Sequence, residues 1–138
     1  MERGKYVVGI GSERGTPLEV VGQGVMQCLD KNNIVMDEVV CITSVHMKAH
    51  DPAYTAFAAI HDVQLITCDT LALKAVTSGS LESGDFLPED ISRLSALFLS
   101  GARQLMVPPF RFCLSHDGLS VIVSVCRVTG RLGINACA

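Results

Sequence analysis

The stretch Lys5-Tyr6-Val7-Val8-Gly9-Ile10-Gly11-Ser12-Glu13-Arg14-Gly15-Thr16-Pro17-Leu18-Glu19 decides the fold. Residues 5–10 are an apolar run of strand length, and Gly11 to Gly15 has turn composition. Three helix-start signals follow together. Thr16 can cap the first free N–H groups, Pro17 suits the first helical position, and Glu19 would complete a capping box. Leu18, Val21, Val25 and Leu29 then recur at helical spacing, which makes one apolar stripe to lay on a sheet. Gly22 and Gly24 each cost such a helix about 1 kcal/mol against alanine, so they point to close packing. Asn32-Asn33 ends it.

The strand-then-helix pattern repeats along the chain. Val39 to Val45 is almost wholly apolar, as a strand covered on both faces should be. Asp51-Pro52 starts a helix predicted to reach about Ile60, and Val63 to Ile66 reads as a third strand. Asp69 can cap a brief helix through Leu73, and residues 77–86 have loop composition. Pro88-Glu89-Asp90 opens a helix that closes near Gly101, with Ile91, Leu94, Leu97 and Phe98 on one face. Gln104 to Val107 reads as a fourth strand. Arg111–Leu114 and Leu119–Val128 then form a hairpin about His116-Asp117-Gly118. Alternating elements imply parallel pairing through right-handed crossovers. The expected fold is therefore a three-layer α/β/α domain over residues 1–138. Its sheet should be mixed and mostly parallel, of about five strands, with a C-terminal antiparallel hairpin.

Composition removes several function classes. At 138 residues with 49% hydrophobic and 18% charged content, the chain can bury a core and is not intrinsically disordered. With no Trp and few aromatics, that core must be aliphatic. A formal charge of −3 and the lack of a basic cluster argue against nucleic acid. The apolar run at 5–10 is too short to span a membrane and lacks a signal-peptide cleavage pattern, so a cytoplasmic location is expected. Cys28, Cys41, Cys68, Cys113, Cys126 and Cys137 then read as reduced thiols, mostly small buried hydrophobes.

In open α/β sheets ligands bind beyond the carboxyl ends of the strands. The most polar loops of this chain fall there: Gly11, Ser12, Glu13, Arg14, Gly15 and Thr16 after the first strand, and His46, Lys48, His50 and Asp51 after the second. Thr67, Cys68 and Asp69 follow the third. Cations, hydroxyls and a helix N-terminus on one edge suit a ligand bearing carboxylates or phosphates. Gly9-x-Gly11 lacks the third glycine of a dinucleotide fingerprint, and a tight strand-to-helix turn explains it as well. His46 and His50 are spaced i, i+4, but Asp51-Pro52 starts its helix after them, so they share no helical face. No metal and no cofactor are expected. Lys48 follows a buried strand in a loop that must turn back, so its amine either projects into the crevice or lies solvated on the surface. His61 and His116 read as surface residues. No Ser-His-Asp or Cys-His arrangement stands out.

These same loops carry a family likeness. Val7 to Thr16 resembles the opening of the cobalamin-biosynthesis family formed by stand-alone CobE proteins and the C-terminal domain of CbiG. Val45-His46-Met47-Lys48-Ala49-His50-Asp51 is similar to the family's second segment, and Asp62 to Ile66 with Leu71 to its third strand and next helix. The likeness runs from about residue 5 to 127. It departs at Arg93, where the family pattern has a glutamate, and at Pro109, where it has a lysine. An arginine there cannot act as general base, although it could bind carboxylates.

The resemblance implies work on a precorrin, a corrin-ring precursor carrying many acetate and propionate groups. Its expected binding residues are Gly11, Ser12, Arg14, Gly15, Thr16, Lys48, His50 and Arg93. Binding is the favoured role; the alternative is a hydrolase that opens a precorrin lactone and releases acetaldehyde, with Glu13, His46 or Asp51 as general base. A diverged paralogue that keeps only the fold is a third reading. Implied partners are the corrinoid itself, other corrin-pathway enzymes or a second copy of the chain.

Overall fold

The computed structural model describes residues 5–76, 86–114 and 118–129. Strands β1 (Tyr6–Ser12), β2 (Val39–Val45), β3 (Gln64–Cys68), β4 (Val107–Cys113) and β5 (Ser120–Arg127) form one sheet in the order β3-β2-β1-β5-β4. Pairings β1–β2 and β2–β3 are parallel, while β1–β5 and β4–β5 are antiparallel. Four of the five strands therefore point the same way. Helices α1 (Leu18–Lys31) and α2 (Pro52–Ile60) share one buried cluster with the sheet, whereas α3 (Thr70–Val76) and α4 (Pro88–Ser100) pack on the other face. The expected three-layer architecture is what forms.

Strand alternation divides β1 between these layers. Val8 and Ile10 join the large aliphatic cluster with Val21, Val25 and Phe57. Gly9 and Gly11 lie under α4, so close that a Cβ on Gly9 would stand 2.0 Å from the Ser92 carbonyl oxygen. On Gly11 it would stand 1.9 Å from that of Pro88. The Gly9-x-Gly11 pattern is thus explained by helix–sheet contact. It does not form the turn: β1 continues through Ser12, and the reversal is made at Gly15, whose φ is +86°. Small residues let serine hydroxyls bond the neighbouring backbone. Ser92 Oγ donates to the Gly9 carbonyl (2.9 Å) and lies 2.8 Å from the Ser124 hydroxyl.

The helix starts follow the sequence with one correction. Asp51 Oδ1 accepts the Ala53 N–H at 2.9 Å, and Asp69 Oδ1 accepts that of Ala72 at 2.8 Å, as their positions predict. Thr16, however, does not cap α1. Its hydroxyl donates to the Glu13 carbonyl at 2.8 Å, which closes the preceding turn. Pro17 occupies the cap position, with no side-chain cap bond and no capping box to Glu19.

In the C-terminal half the expected strand 104–107 is corrected: residues 104–106 are not strand. Val107 begins a single strand, β4, that runs through Pro108 and Pro109 into the expected hairpin arm and ends at Cys113. Pro108 and Pro109 have no N–H for the ladder, and the register shifts between Val107 and Phe110. An edge strand accommodates that. Residues 115–117 and 130–138, which include His116 and Cys137, lie outside the described residues. So do residues 77–85 of the predicted loop 77–86.

Cys28, Cys41, Cys68 and Cys126 are buried free thiols, and Cys113 is exposed. Burial pushes the Cys28 thiol up to about 11 against the pull of Lys31, and it raises Cys126 as well. His61 is half-buried, its ring packed against Phe57 with centroids 4.4 Å apart.

Candidate functional site

A cleft of about 1140 Å³ opens beyond the carboxyl ends of β1 and β2. One wall is the turn Ser12–Thr16. A second is the loop after β2, a 3-10 turn His46–Lys48 that supplies Lys48 and leads to His50 and Asp51. The remaining lining is largely apolar, with Val45, Met47, Phe86, Pro88 and Ile91. Three helices begin at the rim, because Leu18 of α1, Ala53 of α2 and Pro88 of α4 all line it. Their N-terminal dipole ends favour negative charge in the space between them.

Thr67 and Cys68 lie within β3, and with Asp69 they do not line the cleft. Of the expected binding and catalytic residues, Ser12, Glu13, Arg14, Gly15, Thr16, Lys48, His50 and Asp51 are brought to this one cleft. Three are not. Gly11 is buried beneath α4. His46 is exposed and turned to Thr67, whose hydroxyl is 3.5 Å from Nδ1. Arg93 is paired with Asp90 one turn earlier on α4, at 3.4 Å, and lines no part of the cleft. Arg93 and Pro109, the two positions where a departure from the family pattern was expected, both fall outside the cleft lining.

The centre of the second wall is a compact set. Lys48 is only 8% exposed, and its ammonium lies 3.4 Å from Asp51 Oδ2 and 5.3 Å from the centre of the Tyr54 ring. Asp51 is occupied on both oxygens, since Oδ1 also caps α2. Proton abstraction by Asp51 would therefore cost a helix cap and an ion pair. Glu13 and Arg14 are exposed at the rim and form no ion pair among the described residues.

Tyr54 went unmarked in the sequence, where it reads only as one core position in an alanine-rich helix. Its hydroxyl is 2.7 Å from that of Ser12, which joins α2 to the end of β1. Burial pushes the phenol far up from its ordinary value. The Ser12 and Ser44 hydroxyl bonds oppose that shift, and the charge of Asp51 adds to it. The phenol therefore stays protonated.

Among the described residues no group of three or more His, Cys, Asp or Glu could hold a metal ion, and no helix is long and apolar enough to cross a membrane. Fold and cleft together define a class: an α/β domain with a crevice of mixed polar and apolar lining at its strand ends. Residues 6–111 match the family model for the cobalamin synthesis G C-terminus, so the chain belongs to that family and to cobalamin biosynthesis.

Solved structures agree on the fold. CobE, a protein from the cobalamin biosynthetic pathway, superimposes with a TM-score of 0.67 at 18% identity, covering 91% of each chain. Cobalamin biosynthesis protein chiG from Agrobacterium tumefaciens gives 0.62 at 18% identity, over 86% of this chain and 96% of its own. A cobalamin biosynthesis protein G homolog from Sulfolobus solfataricus gives 0.60 at 16% identity, over 93% of this chain and 38% of its own. No curated protein sequence matches.

Proposed function

We propose that the cleft binds a corrin-ring precursor of cobalamin synthesis through the carboxylates on the ring's periphery. The observation that carries this reading is the convergence of Arg14, the buried Lys48 and three helix N-termini on one large, partly apolar space. A macrocycle with an apolar face and a carboxylate rim matches that division of walls. The volume of about 1140 Å³ lies just above the usual range of small-molecule pockets, which suits a ligand as large as a tetrapyrrole. Charge-assisted bonds from Arg14, and from the Lys48 donors that Asp51 leaves free, would set the ring's orientation.

One observation favours a second reading, lactone hydrolysis. Glu13 sits in the same cleft with no ion pair among the described residues. Of the three expected bases it alone is both in the cleft and uncommitted, since His46 lies outside and Asp51 caps α2.

An absorbance titration with a corrin polycarboxylate tests both. The expected result is a saturable spectral change with the ligand recovered intact. Arg14→Ala should weaken binding by about ten- to a hundred-fold, the worth of a hydrogen bond to a charged group. Affinity should also fall as salt rises. Tight binding that survives both Arg14→Ala and Lys48→Ala would place the ligand elsewhere. Acetaldehyde release from a lactone substrate, abolished in Glu13→Gln, would decide for hydrolysis.

A further inference from the structure

We propose that Tyr54 is a positioning residue of the cleft, its buried ring holding the Lys48 ammonium where a ligand carboxylate docks. This rests on the reading of the cleft as a carboxylate site.

A lysine ammonium is strongly hydrated, and its stem is flexible, so burial at 8% exposure needs compensation and a reason for one fixed pose. The ion pair alone is a weak tether. Asp51 stands at 3.4 Å, a long contact for a charge-assisted bond, and its other oxygen is already held by Ala53. The Tyr54 ring supplies the second support, with the ammonium 5.3 Å from its centre, inside the cation–π range. That ring cannot swing away. Tyr54 is 0% exposed, and its hydroxyl is tied to Ser12 at the end of β1.

Asp51 and the ring therefore hold the ammonium from the protein side. Three N–H donors belong to that group, and Asp51 takes one of them. Among the described residues no other acceptor bonds it, which leaves the rest for a ligand at a wall that Lys48 itself lines. Tyr54 does not line the cleft, so it acts through Lys48.

The test compares wild type, Tyr54→Phe, which keeps the ring, and Tyr54→Leu, which removes it, with lysine carrying a 13Cε label. The Lys48 signal, assigned by its loss in Lys48→Arg, should be displaced upfield by the ring in wild type and Tyr54→Phe and return to the free-lysine position in Tyr54→Leu. Propionate, the simplest carboxylate probe, should move that signal in the first two proteins only. Affinity for a corrin polycarboxylate should fall about tenfold in Tyr54→Leu and change less than about twofold in Tyr54→Phe. A fully esterified corrin should not distinguish the three.

An undisplaced Lys48 signal in wild type overturns the proposal, as does a Tyr54→Leu protein that binds the polycarboxylate like wild type. If Tyr54→Leu does not fold, the wild-type and Tyr54→Phe spectra with propionate still decide. If no corrin binds wild type, the ligand reading fails, while the ring displacement and the propionate response judge Tyr54 separately.

Discussion

On one face of β1, Val8 and Ile10 are buried among Val21, Val25 and Phe57. On the other, Gly9 and Gly11 let the backbone of α4 come down onto the strand itself. The first interface is made of aliphatic side chains, and its stability follows the apolar area removed from water. The second is made of backbone, absent Cβ atoms and serine hydroxyls, and it is held by shape and hydrogen bonds. An aliphatic interface can lose a methyl group at a graded cost. A backbone contact has no room to give. The close seat of α4 also matters for the cleft, because it carries Pro88 and Ile91 to the rim.

The sharpest way to break this contrast is Gly9→Val. Its side chain would have to occupy the space of the Ser92 carbonyl, and α4 cannot retreat without opening the core beneath it. The expected loss exceeds about 4 kcal/mol, a large part of the roughly 5–15 kcal/mol that holds an ordinary domain, so circular dichroism should show a steeply lowered melting temperature or an unfolded chain. A cooperative melt near wild type would mean that α4 is not seated so closely.

Ile10→Ala on the opposite face should cost about 3 kcal/mol, the usual range for emptying a buried aliphatic site, and leave a folded protein. The urea midpoint should fall while the slope holds. A cost as large as that of Gly9→Val would erase the distinction between the faces.

The smallest effect belongs to the hydroxyls. Ser92→Ala should cost about 1–2 kcal/mol, because the Ser124 hydroxyl loses a buried partner. Adding Ser124→Ala should recover part of that loss in a thermal melt, since removing both partners leaves less unsatisfied polarity. A further additive loss would show that the two hydroxyls do not depend on each other.

Much of the architecture was legible beforehand. Asp51-Pro52 and Asp69 mark their helix starts because a carboxylate cap acts over two or three residues, a range that sequence spacing encodes. The same local logic misjudged Thr16, whose hydroxyl had a turn carbonyl nearer than the helix N–H groups. It also split β4 at Pro108-Pro109. Proline removes a ladder donor wherever it stands, but only the sheet order reveals that the strand is at an edge and can continue past it.

For the cleft, the two polar loops were visible because both follow strands of one parallel run, which puts their ends on one edge. Arg93 was misplaced because alignment to a family pattern carries no information about which helical face meets the cleft. Tyr54 was missed because an aromatic side chain among alanines signals a core position and nothing more.

By itself the sequence determined the layering, the strand and helix alternation, the family and the edge on which polar residues gather. These follow from periodicity, capping and motif, which act over a few residues. Tertiary structure alone decided that Gly9 and Gly11 seat a helix, that Asp51 is bound to Lys48 and its own helix, and that Tyr54 lies beneath the ammonium. Each of these depends on distances between segments far apart in the chain, set when two layers close on a common sheet.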